Sequence, residues 1–262
     1  ILVTGAAGFI GSNFCRHILD VNKKAQVVGI DNFCVGNKKN ISDILVSKRF
    51  SFYKANLENK KKLIKISKNC DLVIHLASNA DVLGSFSKPY EIVSNNINLT
   101  LNLLETLRVN NYKGRFIMCS TSEVYGMVNK SDIPIVENQI FKPASPYALS
   151  KAFQDLLAQV YSNVYKQKII ITRMFSYVNP KRTNLFQTSF ADQIIKYELK
   201  NNSKKFLFHG NLNSVRTFID IKDAMRAYWL AAIHCDYGED YNIGGNKIIK
   251  VGEFLKKLIK LS

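Results

Sequence analysis

Tyr147 and Lys151 stand four residues apart in Tyr147-Ala148-Leu149-Ser150-Lys151, so on a helix they share one face. A tyrosine of ordinary pKa, about 10, is a poor base at neutral pH. A lysine ammonium beside it favours the phenolate, and so does any second cation brought to the same place. Such a phenol can take the proton of a hydroxyl group while hydride leaves the carbon that bears it. Thr121, Ser122 and Glu123 lie in Cys119-Ser120-Thr121-Ser122-Glu123-Val124-Tyr125-Gly126, directly after a predicted strand, where ligands of open α/β sheets bind. Thr121 is placed to hydrogen-bond the reacting hydroxyl. Glu123 is expected a residue or two deeper in the cleft, where partial burial would raise its pKa for acid/base work.

A hydride needs an acceptor, and the first eleven residues offer a place for one. Thr4-Gly5-Ala6-Ala7-Gly8-Phe9-Ile10-Gly11 follows a strand and opens a helix. Gly5 permits the tight turn, Gly8 lets the backbone approach a pyrophosphate, and Gly11 lets helix and strand pack closely. The helix N-terminus, with Phe9 and Ile10 in its first turn, presents amides and the positive dipole end to the phosphates. Asp31 ends Val27-Val28-Gly29-Ile30-Asp31, 20 residues beyond Gly11, where an acidic side chain holds both hydroxyls of an adenosine ribose. A carboxylate there repels a 2′-phosphate, and no arginine follows it directly. The expected cofactor is NAD, not NADP, with Asn32 beside the ribose.

These residues need elements to position them. Apolar β-rich runs alternate with helical patterns, which predicts a parallel sheet covered by helices on both faces. The predicted strands are 1–4, 26–30, 50–54, 72–75, 115–119 and 169–174, and the helices 9–19, 63–67, 90–110 and 146–165. Pro89 and Pro146 suit helix first turns. After Met174 the segment 177–214 is loop-rich, with one helix around 191–199. A strand near Phe218, a helix over 224–234, a strand over 240–243 and an amphipathic helix over 251–261 follow. The expected architecture is a Rossmann-type doubly wound α/β domain of residues 1–176 plus 215–246. A smaller C-terminal substrate-binding subdomain, incomplete at its end, takes 177–214 plus 247–262. The chain opens at Ile1, directly in a strand and without a Met, and closes on a helix, so further sequence is expected on both sides.

Composition narrows the class. The chain has 262 residues, 47% of them hydrophobic, and a formal net charge of +17. The lysines are spread along the whole chain, and the densest run, Lys60-Lys61-Lys62, falls on a predicted solvent-facing helix. The charge therefore reads as a solvated surface that draws anionic diphosphates, not as a nucleic-acid footprint. No apolar run is long enough to span a bilayer. Five scattered cysteines without a Cys-x-x-Cys pair fit a reducing, cytoplasmic compartment, and four histidines without ligand spacing predict no metal.

Together, Gly5/Gly8/Gly11, Asp31, His75-Leu76-Ala77, Thr121-Ser122-Glu123 and Tyr147/Lys151 resemble the extended short-chain dehydrogenases/reductases, and within them the nucleotide-sugar epimerases and dehydratases. Supporting pieces are Asn96-Ile97-Asn98-Leu99-Thr100, Asn102 to Glu105, Ser145-Pro146-Tyr147, Arg173-Met174-Phe175 and Arg216 to Asp223. The resemblance runs from Ile1 to about Phe254. It implies that Leu76, Ala77 and Ser78 line the cofactor, that Asn96 supports the active-site strand, and that Lys151 also holds the nicotinamide ribose. Asn56 and Leu57 would meet the adenine, with Asn56 standing where the family commonly has Asp. Arg216 would bind the substrate diphosphate bidentately, with Ser122, Ser176 and Arg182 at the sugar nucleotide. Ser176 and Val178-Asn179-Pro180 stand where the family usually has Asn and Tyr-Gly-Pro. His75 is expected to be structural, and Asp223 a helix N-cap.

The resemblance implies an enzyme that oxidises C4 of a nucleotide-linked sugar and returns the hydride, as a 4,6-dehydratase, a 4-epimerase or a 4-dehydrogenase. Thr121-Ser122-Glu123 is more similar to the GDP-mannose 4,6-dehydratases than to the UDP-galactose 4-epimerases, which points to a GDP- or related hexose or heptose. Those dehydratases usually prefer NADP, whereas Asp31 favours NAD. A homodimer is implied, through a bundle of the helices around 90–110 and 146–165. The alternative is a non-catalytic NAD(H)-binding scaffold or sensor of the same fold.

Overall fold

The computed structural model describes residues 1–178, 185–200 and 206–262. Along the chain run β1 (Leu2–Thr4), α1 (Phe9–Val21), β2 (Val27–Asp31), β3 (Phe50–Lys54), α2 (Lys60–Ser67), β4 (Leu72–His75), α3 (Val82–Ser87), α4 (Pro89–Val109), β5 (Arg115–Thr121), α5 (Pro146–Tyr165) and β6 (Ile169–Met174). Then come β7 (Tyr177–Val178), α6 (Phe186–Lys200), β8 (Val215–Thr217), β9 (Ile219–Asp220), α7 (Ile221–His234), β10 (Asp240–Ile243), β11 (Ile248–Lys250) and α8 (Val251–Leu261). A 3₁₀ turn over Ser122–Tyr125 follows β5. The chain divides into two compact units, Ile1–Met174 with Met225–Ile243, and Phe175–Ala224 with Gly244–Ser262.

The first unit holds a seven-stranded sheet in the order β10-β6-β5-β4-β1-β2-β3. Every pairing in it is parallel. Parallel strands covered on both faces bury every residue, and β4 does so along all of Leu72-Val73-Ile74-His75. The core joins Leu2, Val73 and Phe116 of the sheet to Leu63 of α2 and Leu103 and Leu107 of α4. The strand order reverses between β1 and β4, the place where such sheets open a ligand crevice beyond their carboxyl ends. The doubly wound α/β architecture expected from the sequence is the one observed.

Local chemistry sets the ends of α5. The Ser145 hydroxyl accepts from the Ala148 amide at 3.0 Å, Pro146 occupies the first turn, and Lys166 closes the helix in the left-handed region at φ 56°. α3 was not expected, because six residues, Val-Leu-Gly-Ser-Phe-Ser, carry no helical period; the Asp81 carboxylate nucleates it by accepting from the Gly84 amide at 2.9 Å. α7 begins at Ile221, three residues earlier than expected. Asp223 therefore lies inside the first turn and is not the cap; Asp220 precedes the helix and accepts from the Lys222 amide at 2.8 Å.

The second unit pairs β8 with β11 antiparallel and β7 with β9 in parallel. Its core is aromatic. Phe186 packs edge-on to Phe190 and Phe254, and Phe218 lies against Phe254, around the buried Val251 and Leu255 of α8.

Candidate active site

The glycine turn lies between β1 and α1. Gly5 has φ 69°, and a Cβ there would meet the Ala77 nitrogen at 2.8 Å, so only glycine lets the turn lie against the end of β4. A Cβ on Gly11 would fall 2.1 Å from the Gly5 carbonyl oxygen, which makes Gly11 the contact that seats α1 on β1. At Gly8 an added Cβ meets only the Gly5 oxygen, at 3.1 Å. Gly8 caps α1 without a side-chain bond, and the first turn of Phe9, Ile10 and Gly11 carries no acidic residue. A helix end of that kind suits an anion.

Asp31 is buried at the end of β2, and two backbone amides aim its carboxylate. Oδ2 accepts from the Ala7 amide at 2.9 Å and Oδ1 from the Phe33 amide at 2.7 Å. The acidic group is thus tied to the glycine turn itself, with lone pairs left for ribose hydroxyls. Asn32 follows it and accepts from the Cys34 amide at 2.9 Å. Asn56 is exposed and engaged with Glu58, accepting its amide at 3.3 Å and donating to its carboxylate at 3.2 Å. The Leu57 side chain is buried in the core, which leaves its backbone for an adenine. Leu76, Ala77 and Ser78 continue from β4, and the buried Ser78 Oγ has no hydrogen-bond partner.

Tyr147 and Lys151 both lie on the buried side of α5, 9% and 4% exposed. The Lys151 ammonium donates to the Cys119 carbonyl of β5 at 2.6 Å, which draws the helix onto the strand leading to Thr121. Burial pushes the Lys151 pKa down to about 8, against the carboxylate of Asp155, which raises it. Burial also pushes the Cys119 thiol up to about 12, so it remains protonated at neutral pH. Thr121 caps the 3₁₀ turn, its Oγ1 accepting from the Glu123 amide at 3.3 Å. Here the structure corrects the sequence reading. Glu123 is exposed, and it is Val124 and Tyr125 that turn inward. Ser122 is half-buried beside it.

Two polar assemblies, whose partners motif reading did not single out, hold these pieces. One is centred on Arg173, 1% exposed on β6. Its guanidinium makes a two-pronged contact with Asp155 of α5 at 2.9 and 3.1 Å, donates to the Tyr125 hydroxyl at 2.9 Å and to the Glu137 carbonyl at 2.7 Å, and also meets Asp240. Tyr125 passes the network on to Asn242 of β10 at 2.8 Å. Burial alone would lower the pKa of Arg173, but the hydrogen bonds and charge of Asp155 outweigh it and raise it. Asp155 sits four residues beyond Lys151 and eight beyond Tyr147, so one helix face carries all three. The signal was present in Ile169-Ile170-Ile171-Thr172-Arg173, a cation ending an apolar strand, which folds only with a buried acid to meet it.

The second assembly joins α4 to α5. Asn96 is fully buried; its amide group donates to the Asn79 carbonyl at 3.0 Å and to Ser150 Oγ at 2.9 Å, and its Oδ1 accepts from the Asn79 amide at 2.7 Å. Asn96 therefore fixes the loop after β4 against the turn of α5 that carries Tyr147 and Lys151. It supports the site from the helix side, not from the strand. His75 is buried between Thr4 and Thr100, with its pKa pushed down to about 3 by burial and then by the charge of Lys151.

In the second unit, the Ser176 carbonyl accepts from the Ile219 amide at 3.1 Å. Arg216 stands on β8 opposite Ile249 and is exposed, a guanidinium nitrogen donating to the Val215 carbonyl at 2.8 Å. Arg182 lies outside the described residues. Among the described residues no group of His, Cys, Asp or Glu is arranged to hold a metal ion, and no helix is long and apolar enough to cross a membrane.

Comparison with known proteins agrees with this arrangement. The family model described as GDP-mannose 4,6 dehydratase matches residues 2–261. A dTDP-D-glucose 4,6-dehydratase of Dictyostelium discoideum is 33% identical over 281 residues, covering 100% of this chain; the chain spans 62% of that protein's length. Among solved structures, the dTDP-glucose 4,6-dehydratase DesIV of Streptomyces venezuelae, with NAD bound, superposes with a TM-score of 0.88 at 28% identity, over 99% of this chain and 80% of that one. The UDP-glucuronic acid 4-epimerase of Bacillus cereus, in complex with UDP-glucuronic acid and NAD, gives a TM-score of 0.86 at 33% identity, over 99% of this chain and 82% of that one. With a glycine turn, the buried Asp31 carboxylate and the Tyr147–Lys151 helix all in the first unit, and a family match along nearly its whole length, the chain belongs to the GDP-mannose 4,6 dehydratase family, among the nucleotide-sugar epimerases and dehydratases of the extended short-chain dehydrogenases/reductases.

Proposed function

We propose that this chain is an NAD-dependent enzyme that oxidises C4 of a nucleotide-linked sugar, as a 4,6-dehydratase, a 4-epimerase or a 4-dehydrogenase. One observation carries the reading: Tyr147 and Lys151 share the buried face of α5, and Lys151 is bonded at 2.6 Å to the strand that delivers Thr121 and Glu123. The chain also fits the cofactor. Gly5 and Gly11 let the turn lie against the end of β4 and seat α1 on β1, Asp31 is aimed by two amides, and Ser78 Oγ is buried without a partner just after β4. The solved relatives named above hold NAD. NAD supplies the hydride acceptor when bound. Gly5, Gly8 and the α1 N-terminus would hold its pyrophosphate, Asp31 and Asn32 its adenosine ribose, and Lys151 its nicotinamide ribose.

Tyr147 takes the proton of the C4 hydroxyl, with Thr121 as a hydrogen-bond partner of the same oxygen and Lys151 keeping the phenolate charge low in energy. The exposed Glu123 serves acid/base work on the sugar beyond C4, with Ser122 beside it. Arg216 is proposed for the substrate diphosphate, and Ser176 and Arg182 for the sugar nucleotide. The relatives reported above are named for dTDP- and UDP-linked sugars. A GDP-sugar therefore has no support from them, and pyrimidine nucleotides are the first substrates to try. Five free thiols, two of them buried, fit a reducing cytoplasm. A homodimer is supported by an unpartnered apolar stripe on α5, where Leu149, Phe153, Leu156, Val160 and Val164 are exposed at helical spacing.

The test is incubation of the enzyme with NAD and dTDP-, UDP-, CDP- or GDP-sugars, following NADH absorbance and product mass. Loss of water marks a dehydratase, unchanged mass an epimerase, and loss of two hydrogens a dehydrogenase. Tyr147→Phe is expected to abolish turnover while NAD still binds. NAD binding with no turnover of any sugar nucleotide would leave the scaffold reading in its place.

A further inference from the structure

The buried hydrogen bonds around His75 can be oriented atom by atom. Thr4 Oγ1 receives the amides of Leu76 and Ala77, both at 3.2 Å. The Leu76 amide is shared with the Thr4 carbonyl, at 3.3 Å; with both amides turned to Oγ1, the hydroxyl's own hydrogen goes to His75 Nδ1, 2.8 Å away. An Nδ1 that accepts carries no hydrogen, so Nε2 carries it and donates to Thr100 Oγ1 at 2.8 Å. Thr100 Oγ1 also accepts from the Gln154 amide at 2.6 Å, so its hydrogen goes back to the Asn96 carbonyl at 3.2 Å. The other Gln154 amide hydrogen reaches the same carbonyl at 2.7 Å. Asn96 then donates to Ser150 Oγ, and Ser150 donates to the Tyr147 carbonyl at 2.7 Å.

We infer that His75 is a positioning residue: a neutral imidazole fixed with its hydrogen on Nε2, bridging the end of β1 and β4 that seats the cofactor to the turn of α5 that carries Tyr147 and Lys151. The kinetic part of this inference rests on the function proposed above; the tautomer does not. The ring is 1% exposed, between Thr4 of β1 and Thr100 of α4 and beside Phe116 of β5; Gln154 of α5 bonds Thr100 in turn, and the cation that acts on the ring is Lys151. Burial and that cation both oppose a second proton on the ring, which therefore stays neutral. The network crosses from the sheet to α5 through side-chain donors, with the Asn96 and Tyr147 carbonyls as its main-chain acceptors. Gln154 Oε1 remains buried without a partner, and exchanging it with the nitrogen would set it against the Asn96 carbonyl, so the amide is held one way round.

Histidine-selective ¹⁵N labelling and long-range ¹H–¹⁵N correlation give the direct test, with the His75 ring assigned by comparison with His75→Phe. The expected spectrum shows a pyridine-like Nδ1 and a protonated Nε2, unchanged between about pH 8 and about pH 5, where an ordinary imidazole titrates. A hydrogen on Nδ1, or titration within that range, overturns the inference. In the folded enzyme with NAD, His75→Phe and Thr100→Val are each expected to lower NAD affinity and kcat by about tenfold, the worth of one lost buried hydrogen bond, at near-constant KM for the sugar nucleotide. His75→Gln, which keeps an acceptor and a donor, recovers part of both. Variants that lose only thermal stability, with NAD affinity and kcat of wild type, reduce His75 to a packing role and overturn the bridge. If the wild-type enzyme turns over no sugar nucleotide, the proposed function fails, while the tautomer and the NAD affinities still decide this inference.

Discussion

Replacing Asp155 by Ala leaves the Arg173 guanidinium in place and removes its two-pronged partner. Arg173 is 1% exposed and Asp155 fully buried. Breaking a buried ion pair from one side costs about 3–5 kcal/mol, because a charge is left without compensation in a medium that cannot solvate it. Asp240, with a side chain 27% exposed, stays within reach of the same guanidinium, which places the cost at the lower end, about 3 kcal/mol. For a chain of this size that is a fall in Tm of roughly 6–12 °C. Trp229, the sole tryptophan, lies on α7 within the first unit, so its fluorescence follows the unfolding of the unit that contains the pair. Asp43→Ala is the control. Its pair with Arg16 is as short, at 2.6 Å, but the side chains are 27% and 57% exposed, and such pairs contribute only about 0.2–1 kcal/mol. The double variant Asp155→Leu/Arg173→Met removes both charges and is expected to regain most of the loss. If Asp155→Ala lowers Tm no more than Asp43→Ala does, burial is not what makes this pair matter, and the reasoning fails.

Three further outcomes follow from the same geometry. Gly11→Ala puts a methyl group 2.1 Å from the Gly5 oxygen and forces α1 off β1 at a cost of about 1–3 kcal/mol; NAD affinity measured by calorimetry is expected to fall at least tenfold while circular dichroism still shows the fold. Lys151 has its pKa lowered by burial to about 8 from an unfolded value of 10.5, so from pH 8 to 10.5 the unfolded chain binds more protons and wild-type stability rises with pH, the burial cost being fully present below pH 8. Lys151→Met lacks that cost: it is expected to lose turnover yet gain urea resistance at pH 7, an advantage that shrinks between pH 8 and 10.5. An advantage independent of pH would contradict the assignment. Phe153→Glu with Val160→Glu places charges in the exposed stripe of α5, and sedimentation is expected to show monomer where the wild type is dimer.

The sheet was legible because its cause is local. β4 and β6 are short runs of apolar residues buried on both faces, and helices with apolar faces lie between the strands of the first unit. Strand ends were predicted to within a residue or two for the same reason. α3 and the short strands β7 and β11 were not legible as elements, and the one strand expected near Phe218 is two, β8 and β9, on either side of it. Each has two to six residues, too few to display a period; the strands depend on a partner distant in sequence, as Ile249 opposite Arg216 does, and α3 on its Asp81 cap.

Within the site the division falls between residues that face a ligand and residues that hold them. Gly5, Gly11, Asp31, Tyr147 and Lys151 announce themselves because their chemistry is unusual for the positions they occupy. Glu123 shows where such reading fails. Burial of Val124 and Tyr125 uses the inward positions of a four-residue 3₁₀ turn, and at three residues per turn the residue before them must point out. The holders stay hidden because each is half of a pair: Thr4 meets His75 across 71 residues, Arg115 meets Ala232 across 117, and Arg173 meets Asp155 across 18. A sequence shows that His75 and Arg173 are polar groups within apolar strands and therefore owe a partner. It does not show which partner, because that depends on which helix covers the strand. What the motifs leave out is thus specific: the buried polar atoms whose bonds turn five well-placed residues into one rigid arrangement.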